Sequence, residues 1–376
     1  MSRERVSPQY GDGTRVVAAG QPPAVAGEPF RPGPVFAAPY HLGPDTRFYA
    51  RNENPTWSAF EQALGALEGG PAVVFPSGMA AASAVLQSVL RPGDRVVVPS
   101  DGYYQVRGVL AEELPWYEVV TVPTAEVAGW AGEGGLAGAT LVLVETPSNP
   151  GLDVCDLAAV TAAAQAAGCL VAVDNTMATP LGQRPLDFGV DFSLASDTKA
   201  LTGHSDLVLG HVACRDAERA ARLLAWRTRT GVVPGPFEVW LAHRSLGTLD
   251  LRLHRQATNA RALAEALSGH PAIGGLRYPW LAEDPAHDLA TAQMLRPSGV
   301  VVFDLADEAA VDAFLAASRL ALAATSFGGL HTTVDRRARW GDAVAPGFVR
   351  VSCGVEDTAD LVADFVAAAD SLGSRP

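Results

Sequence analysis

This chain is almost without lysine. Its 28 basic residues are 27 arginines and one lysine, Lys199. Arginine stays protonated, so side-chain amine chemistry is confined to a single position. Charge is scarce too: 18% of 376 residues against 48% hydrophobic, which leaves apolar surface for a sizeable core and two domains. The net charge of −13 speaks against nucleic acid or an anionic membrane as partner, since both need clustered positive charge. Cysteine is limited to Cys155, Cys169, Cys214 and Cys353, without C-x-x-C spacing, so neither a zinc site nor a disulfide framework is signalled. No apolar run reaches membrane-spanning length, and residues 1–14 are polar without a signal core. A cytoplasmic protein is the expectation.

The lone lysine gains meaning from its neighbours. An apolar run at 190–194 ends in Ser196, Thr198 and Lys199, followed by a Gly203-His204 turn. This reads as a buried strand delivering two hydroxyls and an amine to its carboxyl end, where ligands of open α/β sheets sit. A surviving lysine alone is equally a chance surface residue. Hydroxyls two apart beside an amine, however, suit a phosphate monoester whose aldehyde is bonded to that amine. Pyridoxal phosphate (PLP) is the commonest such partner of lysine.

Along the chain, residues 1–47 are rich in proline and glycine and read as an extended arm without helical periodicity, its Phe30, Val35, Phe36 and Tyr40 laid on a partner subunit. Asn54-Pro55 opens a helix with a capping side chain and proline at the first helical position. From 72 to about 214, strand candidates at 73–75, 95–98, 118–122, 141–145, 170–174, 192–195 and 207–213 alternate with Ala-rich helices. That pattern predicts a mostly parallel sheet covered by helices, in a domain spanning 48–235. After about 236 a long helix (237–267), two strands (300–305 and 348–352) and a helix from Asp357 predict a smaller α+β domain, 236–376.

Several clusters carry possible chemistry. Ser77, Gly78 and Met79 lie between a strand and a helix, an anion site by geometry and dipole or a plain helix cap. Tyr49 and Arg51 offer a phenol and a guanidinium that suit phosphate, or an interface salt bridge. Asp174 ends an apolar strand, where a carboxylate needs a partner. Opposite a pyridine nitrogen it would keep the ring protonated as an electron sink; otherwise it is a helix cap or a metal ligand, although no His or Cys accompanies it at ligand spacing. Asn149 follows the preceding strand and could hydrogen-bond a cofactor's phenolic oxygen. Tyr103 or Tyr104 could stack on its ring.

Taken in order, Tyr49-x-Arg51-x-x-Asn54-Pro55-Thr56, Ser77-Gly78-Met79, Glu145-Thr146-Pro147-Ser148-Asn149-Pro150, Asp174-Asn175-Thr176, Ser196-x-Thr198-Lys199, Gly203-His204-Ser205-Asp206 and Arg350-x-Ser352-x-Gly354-x-Glu356-Asp357 resemble the Cys/Met-metabolism family of fold-type I PLP enzymes. That family holds cystathionine γ-lyases and γ-synthases, methionine γ-lyases and homoserine-ester sulfhydrylases. The Asp101-Gly102-Tyr103 and Thr325-Ser326-Phe327-Gly328-Gly329 phrasing is most similar to compact actinobacterial proteins called cystathionine γ-lyase.

The resemblance implies an aspartate-aminotransferase-like α/β large domain, a small α+β C-terminal domain, and a homotetramer of tight dimers. It also implies roles. Lys199 would bond the cofactor, Asp174 pair with the pyridinium, and Ser77, Gly78, Met79, Ser196 and Thr198 hold the phosphate. Tyr49 and Arg51 would reach the phosphate in a neighbouring subunit. Arg350 would clamp the substrate α-carboxylate, helped by Asn149 and the Ser326 backbone. Two departures bear on specificity. Tyr103-Tyr104-Gln105 is one residue shorter than the usual Tyr-Gly-Gly-Thr, and His331 stands where well-known relatives carry Glu. The implied reaction is cleavage of a Cγ–S or Cβ–S bond of a sulfur amino acid, cystathionine γ-cleavage first, with γ-replacement as the alternative.

Overall fold

The computed structural model describes residues 10–44, 46–126, 129–130 and 135–373. Residues 1–9 of the predicted arm lie outside them. Seven strands form the first sheet: β1 (Ala72–Phe75), β2 (Arg95–Pro99), β3 (Glu118–Val122), β4 (Ala139–Glu145), β5 (Leu170–Asp174), β6 (Phe192–Ala195) and β7 (Gly210–Cys214), in the order β1-β7-β6-β5-β4-β2-β3. The run from β6 to β3 is parallel, and β7 is antiparallel to both its neighbours. Valine and leucine fill the middle of β2, β4 and β5, as a parallel sheet buried on both faces requires. The expected fold class, an α/β layered domain with a mostly parallel sheet, is what forms.

A second sheet holds β8 (Gly274–Arg277), β9 (Val300–Asp304), β10 (Leu322–Ala323), β11 (Thr333–Arg336) and β12 (Phe348–Ser352), ordered β10-β11-β12-β9-β8 and antiparallel except for β10 beside β11. Its core joins Phe303, Phe314 and Phe365 to the last turns of the helix Leu249–Leu267. The first turn of that same helix, with Leu249 and Leu253, packs instead with Trp57, Phe60 and Leu209. One helix therefore reaches both cores.

Local chemistry sets the helix ends. Asn54 Oδ1 accepts the Thr56 N–H at 2.9 Å and Pro55 begins the helix Pro55–Glu68, as predicted. Asp357 caps the last helix, Thr358–Asp370. Three expectations need correction. The helix read over 237–267 runs as two, Pro236–Leu246 and Leu249–Leu267, because Gly247 and Thr248 interrupt it. The strand read over 207–213 starts only at Gly210, since Thr198 Oγ1 bonds both Leu209 N–H (3.0 Å) and Leu209 C=O (3.1 Å) and holds that residue out of the ladder. The N-terminal stretch is not extended throughout, for Asp12–Ala18 is helical. Tertiary bonds hold this short helix: buried Arg15 donates to the Ala66 carbonyl at 2.9 Å, and Arg296 bridges Asp12 and Asp250.

Candidate active site

The carboxyl ends of β4, β5 and β6 emerge on the same edge of the first sheet. Strand pairing places Glu145 beside Asp174, and Asp174 beside Leu194, two residues before Ser196. Above them, the β11–β12 side of the second sheet closes a cavity of about 380 Å³. Its wall includes Ser77, Gly78, Met79, Tyr103, Tyr104, Asn149, Asp174, Ser196, Thr198 and Lys199 from the first region, and Ser326 and Arg350 from the second. Residues dispersed over more than 270 positions thus share one chamber. Tyr49, Arg51 and His331 do not line it. Tyr49 is exposed, with the Arg51 guanidinium 5.3 Å over its ring, and His331 is exposed as well.

Lys199 stands at the cavity floor with Nζ 5.6 Å from the Phe327 ring centre. Burial lowers its pKa, the Arg350 charge lowers it further, and Asp174 opposes both. More of the amine is therefore neutral, the form that condenses with a carbonyl. Asp174 is fixed by Thr176, whose N–H (3.0 Å) and Oγ1 (2.5 Å) both donate to Oδ1. Neither bond engages Oδ2. Burial raises the pKa of Asp174, and that of Glu145 rises well above the carboxylate range through burial and the neighbouring Asp174. Two carboxylates on adjacent strand ends resist joint ionisation. Lys199 and His211 partly offset this at Asp174, and a protonated pyridine nitrogen would relieve it further.

At the other side, Ser77 Oγ accepts the Ala80 N–H at 3.0 Å and caps the helix Gly78–Val89. The first intrahelical bond is Ala81 N–H to Ser77 C=O, at 3.1 Å, so the Gly78 and Met79 N–H groups are free of helix partners. A Cβ at Gly78 would fall 2.6 Å from Cβ of Ser196, so only glycine lets these loops meet. Ser196 is itself placed by its N–H, which donates to Thr176 Oγ1 at 2.8 Å. Free backbone N–H groups at a helix start beside serine hydroxyls suit a phosphate. Amine, phosphate cup and buried carboxylate together fit PLP.

Arg350 on β12 is buried, donating from Nη1 to Asn149 Oδ1 and from Nη2 to the Ser326 carbonyl (2.9 Å) and Asp335 Oδ2 (3.2 Å). Its Nε has no hydrogen-bond partner among the described residues, burial lowers its pKa to about 10, and its guanidinium lies 5.1 Å over the Phe327 ring. Ser326 holds a left-handed backbone (φ 75), a conformation uncommon outside glycine. Tyr103 is anchored through its N–H, which donates to Glu145 Oε2 at 2.5 Å, and its ring meets Tyr104 edge-on at 5.2 Å. Burial pushes the Tyr103 phenol pKa up.

Other site residues carried no motif. Glu145 and Thr176 were visible only as parts of longer phrases, and Arg337 and Trp340, which also line the cavity, belong to a short 3-10 turn (Arg337–Trp340). Behind the Ser196–Lys199 turn, buried His211 bridges Asp197 (Nδ1, 2.6 Å) and Glu68 (Nε2, 3.1 Å). Against the penalty of burial, those two carboxylates raise its pKa to about 10, so it is an imidazolium at neutral pH. Among the described residues no group of three or more His, Cys, Asp or Glu side chains could hold a metal ion.

Known proteins agree with this chemistry. Residues 40–370 match the family model for Cys/Met metabolism PLP-dependent enzymes. A Streptomyces coelicolor protein whose name assigns it provisionally to cystathionine gamma-lyase is 54% identical, covering 98% of this chain and 95% of that one. The cystathionine gamma-synthase of Mycobacterium bovis is 37% identical over 84% of each chain. The crystal structure of cystathionine gamma synthase from Xanthomonas oryzae pv. oryzae, in complex with aminoacrylate and cysteine, superposes with a TM-score of 0.91 at 36% identity, covering 96% of this chain and 98% of that one. The amine, the free helix N–H groups and the buried carboxylate suit such a cofactor, and the chain belongs to the Cys/Met metabolism family of PLP-dependent enzymes.

Proposed function

We propose that this enzyme cleaves a carbon–sulfur bond at Cγ or Cβ of a sulfur amino acid, with cystathionine γ-cleavage as its principal reaction. The observation that carries the reading is the convergence of Lys199, Arg350 and Tyr103 on one cavity, an amine, a carboxylate clamp and a phenol. PLP, bonded to Lys199, supplies the electron sink for negative charge developing at Cα. Ser77, Gly78, Met79, Ser196 and Thr198 would hold its phosphate, Asp174 its ring nitrogen, and Asn149 its phenolic oxygen.

Arg350, seated by Asn149 and Ser326, binds the substrate α-carboxylate and fixes which bond at Cα stands over the lysine. The Lys199 amine would take the Cα proton and return it further along the side chain; its lowered pKa suits both transfers. Tyr103, whose raised pKa keeps the phenol protonated, would lie against the cofactor and donate a proton to the departing sulfur. Tyr104 stands beside it as the other candidate.

Assembly belongs to the same reading. Tyr49 and Arg51 complete the phosphate site of a neighbouring subunit in a homotetramer of tight dimers. Support comes from their position off this chain's own cavity and from Phe30, Phe36 and Leu42, exposed in the arm, with exposed Phe48 just after it. A cytoplasmic location is supported by four buried cysteines that are all unpaired, although no helix among the described residues is long and apolar enough to cross a membrane in any case.

A second reading, γ-replacement on an activated homoserine, is supported by the 37% identical synthase. The two share every residue named above and differ in whether a second nucleophile is accepted. PLP-loaded protein given cystathionine, methionine and acyl-homoserines, with and without added thiol, separates them. Ketoacid and ammonia without thiol support cleavage. A new thioether formed only with thiol supports replacement, and no turnover of any substrate overturns both.

A further inference from the structure

The cavity holds a second guanidinium that the proposed reaction does not use. Arg337 follows β11 on the turn Arg337–Trp340, is 4% exposed, and lines the cavity. Two carboxylates brace it. Asp335 Oδ2 accepts from Nη1 at 2.7 Å, while Asp342 Oδ2 accepts from Nε at 2.8 Å and lies 2.7 Å from Nη2. Each Nη carries two N–H bonds, so each keeps a donor beyond its carboxylate partner. The same Asp335 oxygen also accepts from Arg350, so the two guanidiniums meet on one atom. Trp340 Nε1 donates to Oδ1 of that carboxylate at 3.0 Å, setting the indole beside Arg337 as cavity wall.

The charge pattern has a direction. Among the described residues the only carboxylates lining the cavity are Glu145 and Asp174, which hold Tyr103 N–H and Thr176 at its floor. A cationic substrate end therefore finds no carboxylate of this chain on the outer wall. Arg337 shares the cavity wall with Tyr103, the proposed proton donor to the leaving group. His331, exposed and outside the cavity, has no such position.

We infer that Arg337 reads the far end of the substrate, and that the preferred substrates are α-amino acids whose side chain ends in a carboxylate. Arg350 takes the α-carboxylate, Arg337 the distal one, and Trp340 covers the apolar stem between. This assignment rests on the proposed cleavage or replacement reaction, which it narrows to acid-ended thioethers or esters.

Competition between O-succinylhomoserine and O-acetylhomoserine in one mixture tests it, because the two differ in a distal carboxylate. The ratio of their kcat/KM values should favour the succinyl ester in the wild type. It should fall by about tenfold or more in Arg337→Gln and recover in part in Arg337→Lys. An unchanged ratio in an Arg337→Gln protein that keeps its cofactor absorption band overturns the inference. Calorimetry of glutarate and its monoamide on PLP-loaded wild type needs no variant and no turnover. Tighter binding of the diacid by about tenfold or more supports the inference, and equal binding overturns it. Should the wild type turn over neither ester nor cystathionine, the reaction class falls, while the calorimetry still decides the role of Arg337.

Discussion

Nη1 of Arg350 donates to Oδ1 of Asn149 at 2.5 Å, a bond between β12 and the loop after β4 across 201 positions of sequence. It ties Arg350, the proposed carboxylate clamp, to the edge of the first sheet, where the turn holding Lys199 follows β6. Replacing Arg350 by leucine removes two parallel charge-assisted bonds to the substrate, worth about 3 kcal/mol together, so kcat/KM should fall by about 10²-fold. Arg350→Lys should recover only part, because a point charge cannot make both bonds. Steady-state kinetics on cofactor-loaded variants would show this; a Leu variant with wild-type kcat/KM would remove Arg350 from the substrate site.

Because Lys199 is the only lysine of the chain, its substitution has an unambiguous signature. Borohydride should attach PLP covalently to the wild type and none to Lys199→Ala, read by mass spectrometry. A covalent adduct in the variant would place the cofactor on another group.

Tyr49 and Arg51 lie away from the cavity of their own chain, which makes sharing between subunits testable. Arg51→Ala and Lys199→Ala proteins, each inactive alone, should form hybrid dimers with one doubly damaged site and one intact site. Activity should approach about a quarter of wild type, because random exchange makes about half of the dimers hybrid and each hybrid has one intact site of two. Exchange confirmed by native mass spectrometry without recovered activity would count against a shared site.

The Glu68–His211–Asp197 chain gives stability a pH dependence of definite sign. The folded-state pKa of His211, about 10, lies above the ordinary imidazole value, so its contribution is complete below about pH 6.5 and fades as pH rises through 10. His211→Gln, which leaves two buried carboxylates without a cation, should cost about 3–5 kcal/mol at pH 6.5. The gap in Tm between wild type and variant should narrow toward pH 10. A gap of constant size from pH 6.5 to 10 would mean that the imidazole is not charged in the folded protein.

The legible part of this site lies at strand ends. Asp174, Ser196 and Lys199 follow apolar runs whose direction in a parallel sheet decides where they point, so local pattern suffices. Thr198 was legible as a site residue, but its hydroxyl's bonds to Leu209, which delay β7, were not, since they depend on a neighbour eleven positions away. Arg337 was silent because its turn has no period and its meaning comes from the second sheet closing over the edge of the first. The helix Asp12–Ala18 was missed for a related reason. Seven residues carry too few intrahelical bonds to announce themselves, and what stabilises them are bonds to Ala66, Leu67 and Arg296.

Asp335 receives Arg337, Arg350 and Trp340 on its two oxygens. A lineage drifting toward a new substrate cannot retune the distal contact through this carboxylate without also disturbing the contact every amino-acid substrate needs. Substitutions at 335, 337 and 350 should therefore be strongly epistatic, each tolerated only on particular backgrounds of the other two. Trp340, whose indole forms cavity wall and donates to the same carboxylate, falls under the same constraint.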